Sequence, residues 1–179
     1  MKYIRNLFIL MIAITGLSQI DVNAQGYSQR TLEQKVFKEI IRLPYYGVFD
    51  NIAFQVKGDT VYLTGKVVQP TTRKSAGRVV DRIQGVNSVV NDIEVLPLSG
   101  FDDSIRLRTL RTLQNGGSFY RYFLGANPSV KIIVDGGNVS LEGFVASRGD
   151  ANLANILASG VSGVFSVTNN LIVENERLR

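Results

Sequence analysis

Lys74, Arg78 and Arg82 recur at i, i+4 and i+8, with Arg73 alongside. On a helix that spacing lines the cations into one stripe, interrupted only by Asp81. Such a stripe fits an acidic surface, for instance the headgroups of anionic phospholipid. It also describes an ordinary solvated helix face. Each Lys or Arg beside an anionic membrane contributes about 1 kcal/mol, so four supply roughly 4 kcal/mol, a millimolar affinity. Stable attachment needs more, and two places offer it. Arg106, Arg108 and Arg111 add positive charge further along the chain. The run Phe119-Tyr120-Arg121-Tyr122-Phe123 is densely aromatic, and Tyr suits membrane interfaces. Large aromatics also dominate cores. Tyr45 and Tyr46, at nearly the same point of an earlier segment, favour that second role.

Other chemistry finds little support. The chain has no Cys, His or Trp. It therefore lacks disulfides, thiol nucleophiles, the commonest general base and most transition-metal ligands. Asp102 and Asp103 could pair as acids, but carboxylates at a helix start suit the dipole without any catalytic role. Glu142 and Asp150 have no partner at a telling spacing, and the glycine-rich turns lack a phosphate loop. No nucleophile–base pair can be named, so we expect no enzyme, no metal site and no cofactor.

The ends of the chain bear on where it works. Met1-Lys2-Tyr3-Ile4-Arg5 precedes an apolar run from Leu7 to Leu17 and then Val22-Asn23-Ala24. This is the order of a secretory signal peptide, expected over residues 1–24. The run is short of the ~20 residues that span a bilayer, although an uncleaved anchor is the competing reading. Removal of Lys2, Arg5 and Asp21 takes the net charge from +5 to +4 (5 − 2 + 1). A modestly basic exported protein meets lipid or envelope proteins rather than nucleic acid. We expect a periplasmic location, or an extracellular one where no outer membrane exists, with no transmembrane helix in the mature chain.

The cations are positioned by a duplicated unit. Gly65 and Gly143 lie 78 positions apart, and that offset holds without a gap. Val56, Gly58, Val61, Leu63 and Val67 meet Val134, Gly136, Val139, Leu141 and Val145. Ala76, Gly85, Ser88, Asn91 and Val95 meet Ala154, Gly163, Ser166, Asn169 and Val173. The same offset lays Arg30-Thr31-Leu32 on Arg108-Thr109-Leu110. Each copy reads as helix, strand, strand, helix, strand. Thr31 with Gln34 offers a capping box for the first helix, Pro70 opens the second and Gly85 ends it. The prediction is an α+β chain of two tandem αββαβ modules, each a three-stranded mixed sheet packed on two helices. Residues 28–96 form the first, 97–101 a linker, 102–174 the second and 175–179 a tail. Modules of about 70 residues are marginal alone, so a short linker predicts two copies in contact. Lys74, Arg78 and Arg82 become Asn152, Ile156 and Gly160 in the second copy. An outward Ile156 predicts a surface covered by copy one or by a partner.

The pattern Gly58-Asp59-Thr60-Val61-Tyr62-Leu63-Thr64-Gly65, its echo Gly136 to Gly143, and the closing Gly85-Val86-Asn87-Ser88-Val89-Val90-Asn91 with its echo Gly163 to Asn169 resemble the BON family. The resemblance implies an exported module tied to envelope integrity and osmotic stress, with phospholipid binding proposed for some members. It supplies no catalytic residues. It assigns structural roles to Gly65 and Gly143, for close approach, and to Asn91 and Asn169, for hydrogen bonds near the last strand. The partner expected is an anionic membrane surface or, alternatively, an envelope protein bound by an adaptor.

Overall fold

A computed structural model describes residues 22–174. Residues 1–21, which hold most of the expected signal peptide, and the 175–179 tail lie outside the described residues. The first copy comprises α1 (Val22–Ile40), β1 (Asn51–Lys57), β2 (Thr60–Val67), α2 (Pro70–Asp81), β3 (Ser88–Asn91) and β4 (Glu94–Val95). The second comprises α3 (Gly100–Gln114), a 3-10 turn (Gly117–Phe123), β5 (Val130–Asp135), β6 (Asn138–Val145), α4 (Arg148–Ser159) and β7 (Ser166–Val173). In each, an antiparallel hairpin is joined by a parallel third strand, giving the expected mixed sheet. β3 and β4 both pair with β2 and share one lane, interrupted at Asp92 and Ile93. β7 runs unbroken beside β6.

Alternation places Val61, Leu63 and Val67 on the inner face of β2, where they meet Ala76 and Val80 of α2 and Val36 and Ile40 of α1. Burial of each such Val or Leu contributes roughly 1.5–3 kcal/mol. Their counterparts Val139, Leu141 and Val145 meet Ala154 and Ala158 of α4 and Ile105 and Leu113 of α3. The paired glycines answer a steric demand. At Gly65 (φ +113°) an added Cβ would lie 2.2 Å from the Asn51 carbonyl oxygen, and at Gly143 (φ +109°) 2.0 Å from that of Ser129. The paired asparagines tie helix to strand. Asn91 Nδ2 donates to Arg73 O (2.9 Å) and Asn169 Nδ2 to Ala151 O (2.7 Å). Each Oδ1 accepts from the backbone N–H two residues on.

Three expectations about the helices need correction. α1 begins at least as early as Val22, so Thr31 and Gln34 lie within it and do not cap its start. α3 begins at Gly100, capped by Ser99, whose Oγ accepts from Asp102 N, so Gly100 and Phe101 are helical rather than linker. The first helices also do not follow the offset of 78. Leu32 lies against Gly85 and Ile105 against Gly163, which makes Leu32 and Ile105, 73 positions apart, the equivalent pair. The segment between helix and hairpin is five residues longer in copy two, and the 3-10 turn occupies it. The repeated Arg-Thr-Leu is therefore not structurally equivalent.

The copies touch through the segment before β1. Ile132 N donates to Val48 O (2.8 Å), while Val48 and Phe49 pack on the second core. Lys131, 7 % exposed, donates to Gly47 O (3.0 Å) and sits 4.4 Å from the centre of the Tyr46 ring. Burial depresses its pKa from 10.5 to about 8, opposed by the attraction of Asp50. Asp50 is itself buried and fixes this segment by accepting from Gly47 N and Val68 N. Lys66 closes the seam with an ion pair to Asp135 (2.7 Å).

Candidate functional site

α2 forms where Pro70 sets the first turn and Thr72, Ala76, Val80 and Ile83 recur toward the core. That registration turns Arg73, Lys74, Arg78 and Arg82 to solvent, and all four are exposed. Arg73 reaches Asn91 O (3.4 Å) and Arg78 reaches Ser75 Oγ (3.3 Å). Among the described residues none of the four stands in an ion pair.

Arg82 lies at the rim of a groove of about 490 Å³ between α1 and α2, lined also by Lys35, Lys38 and Glu39. Lys35 and Gln84 continue into a second trough of about 600 Å³ that runs to Gly58 and Asp59 at the hairpin tip. Three cations thus converge from two helices, with Glu39 drawn toward Arg42 (3.9 Å). In the sequence Lys35 and Lys38 stand with Glu33 and Glu39 on the polar side of an amphipathic segment, which carries no stronger signal. Their relation to Arg82 depends on how α1 crosses α2, which no local spacing reports.

The structural offset of 73 puts Arg108 and Arg111 where Lys35 and Lys38 stand, and both are exposed. The third cation is absent there because Gly160 replaces Arg82. Phe101 and Phe165 stack at the hairpin tip of copy two (5.8 Å between centroids), against Gly137. In copy one the equivalent of Phe165 is Asn87, whose Nδ2 donates to Asp59 (2.9 Å).

One contact candidate is corrected, and a second loses one of its two expected covers. Arg106 is 3 % exposed, pairs with Asp103 and donates Nη2 to Val134 O (2.7 Å), so it secures the hairpin and offers nothing to a partner. Ile156 is 68 % exposed on α4, opposite Ala151, Ala154 and Ala158, so copy one does not cover it. The aromatic run divides. Phe119 and Tyr122 are buried, and Tyr120 is exposed. Tyr122 Oη accepts from Ala146 N (3.0 Å) and donates to Asp150 Oδ2 (2.9 Å), which also pairs with Arg121 (2.9 Å). Ser147, Tyr122 and Arg121 hold the Asp150 carboxyl below its usual pKa.

The carboxylates read as potential acids have structural tasks. Asp102 is buried and accepts from the backbone N–H groups of Gly136 (3.0 Å) and Gly137 (2.8 Å), fixing the hairpin turn. Glu142 accepts from Asn170 (2.7 Å). Among the described residues no cluster of acidic side chains could hold a metal ion, and no helix is long and apolar enough to cross a membrane.

No curated protein matches the sequence. Among solved structures, the chain is similar to the C-terminal domain of CdsD, the structural protein of the type III secretion system of Chlamydia trachomatis. Identity is 13 %, with 79 % of this chain and 96 % of that one covered at a TM-score of 0.29. A second CdsD structure matches at 13 % identity over 83 % and 95 % of the two chains, also with a TM-score of 0.29. The family model for the BON domain matches residues 28–97 and 121–175, omitting α3, whose spacing from the hairpin departs from that of α1. Those two segments carry both copies of the hairpin and closing motif, and the chain belongs to the BON domain family.

Proposed function

We propose that this protein is an exported, non-enzymatic envelope module that binds anionic phospholipid headgroups peripherally, through α2 and the groove beside it. The observation that carries the reading is the convergence of exposed Arg82 with Lys35 and Lys38, continued along α2 by Arg78, Lys74 and Arg73. Six cations supply at most about 6 kcal/mol, which moves the affinity from millimolar to tens of micromolar. That suits reversible attachment. The expected periplasmic location, the leader at residues 1–24 and a role in osmotic-stress tolerance belong to this same reading.

Co-sedimentation with vesicles of anionic or zwitterionic lipid tests it. The protein is expected to pellet with anionic vesicles only, to release as salt rises, and to lose binding in Lys74→Glu/Arg78→Glu/Arg82→Glu. Failure to pellet with either vesicle would overturn the reading. A second reading, an adaptor docking on an envelope protein, draws on the exposure of Ile156. Such an apolar contact persists at high salt.

A further inference from the structure

An exposed sheet edge offers unpaired N–H and C=O groups to another chain, and folded proteins blunt such edges. Three of the four edges here are blunted. On β1, Ile52 N donates to Tyr46 Oη (3.3 Å) and Val56 O accepts from Gln29 (3.2 Å). On β5, Ile132 N is taken by Val48 O and Val134 O by Arg106. The third lane of copy one is broken between β3 and β4, and Arg73 reaches the Asn91 carbonyl.

Against these devices β7 sets one local bond within the strand itself, from Leu171 N to Asn169 Oδ1 (3.2 Å). It stays in register with β6 from Ser166 to Val173, and among the described residues no strand lies on its other side. The position of Arg73 is held by Ala151, which has no side-chain donor. Its sequence, Ser-Val-Thr-Asn-Asn-Leu-Ile-Val, contains no charge, Pro or Gly. Ser166, Thr168 and Asn170 are exposed, as is Ile172 at 46 %.

We propose that β7 pairs antiparallel with β7 of a second copy of this chain, making one sheet of six strands across a two-fold axis. The absence of charge favours this occupant. A two-fold sets the strand against itself, so any charge near the axis would face its own sign, and like charges opposed across a sheet are destabilising. Opposed residues share a face, so an axis at Asn170 sets Thr168 against Ile172. The proposal is independent of lipid binding, since β7 and α2 belong to different copies.

Sedimentation equilibrium on the protein purified after export tests it. We expect a dimer at micromolar concentration. Thr168→Lys/Ile172→Lys, which opposes lysines at exposed positions, is expected to weaken it by at least about tenfold. Ile156→Lys, on the far side of α4, is expected to leave it intact, with thermal unfolding by circular dichroism checking the fold of each variant. Should the double variant fail to fold, Asn170→Cys in this cysteine-free chain serves instead, and mild oxidation is expected to give a covalent dimer. A wild-type protein that is monomeric throughout, a dimer indifferent to the lysines, or Asn170→Cys that stays monomeric would overturn the proposal.

Discussion

At the hairpin tip of copy one, Asn87 and Asp59 bind each other and a trough stays open beside Lys35; at the same corner of copy two, Phe165 and Phe101 stack over Gly137. On α2 the outer face is cationic, whereas α4 presents Asn152, Ile156 and Gly160. The third lane is broken in copy one and continuous in copy two. What both copies keep is equally specific: a left-handed glycine in the second strand and an asparagine that ties helix to third strand. The shared positions are demands of the backbone, and the divergent ones are surface. Duplication has preserved a frame while its exterior has diverged.

The shared part breaks most easily. Gly65→Ala and Gly143→Ala each drive a Cβ into a carbonyl of the neighbouring strand, at 2.2 and 2.0 Å, from a φ that disfavours side chains. Each is expected to cost more than about 3 kcal/mol, a large share of the stability of a small domain. Gly58→Ala, at φ +63° with nothing within 4 Å of the added carbon, isolates the cost of conformation alone at about 1 kcal/mol. Urea unfolding should rank the three in that order. Wild-type stability in Gly143→Ala would show that the close approach is not required.

Lys131 tests the seam between the copies. Its pKa in the folded chain, about 8, lies below the ordinary 10.5. Between those values the unfolded chain holds more protons, so this residue makes stability rise with pH across the window. Below pH 8 both states are protonated and its full desolvation cost is present. Thermal unfolding from pH 7.5 to 10 should therefore show an upward component that Lys131→Met lacks. Parallel profiles for the two proteins would mean the ammonium is better solvated than its place beneath Tyr46 implies.

Much of the frame was legible in sequence, because a hairpin and a Pro-led helix write their period locally. The roles expected for Gly65, Gly143, Asn91 and Asn169 agree with their contacts. What stayed hidden were relations between elements. The identical Arg-Thr-Leu suggested one register for both first helices, but a five-residue insertion changed it, and only the packing of Leu32 and Ile105 reveals the shift. Likewise Arg106 is buried while Arg108 and Arg111 are exposed, although all three look alike in sequence. Asp50 drew no notice because a lone carboxylate in a loop has no local signature. Its value comes from Val68, eighteen residues away.

The asparagine tie gives the smallest and finest test of the comparison. In copy two Asn169 donates at 2.7 Å to Ala151 O in a partly buried setting, and Ala151 has no side-chain donor to reach back. In copy one the bond to Arg73 O is 2.9 Å and exposed, and the Arg73 side chain reaches back to Asn91 O. Asn169→Ala should therefore cost about 1–2 kcal/mol, and Asn91→Ala less. The Arg73 contact is long and solvated, so its own worth is a few tenths of a kcal/mol. It should still appear as coupling: Arg73→Ala should cost more in the Asn91→Ala background than alone, because each removes one of two ties across the same gap. Equal losses at Asn91 and Asn169, with Arg73 additive, would mean that the second copy has not surrendered a restraint, and that the broken lane of copy one gains nothing from its arginine.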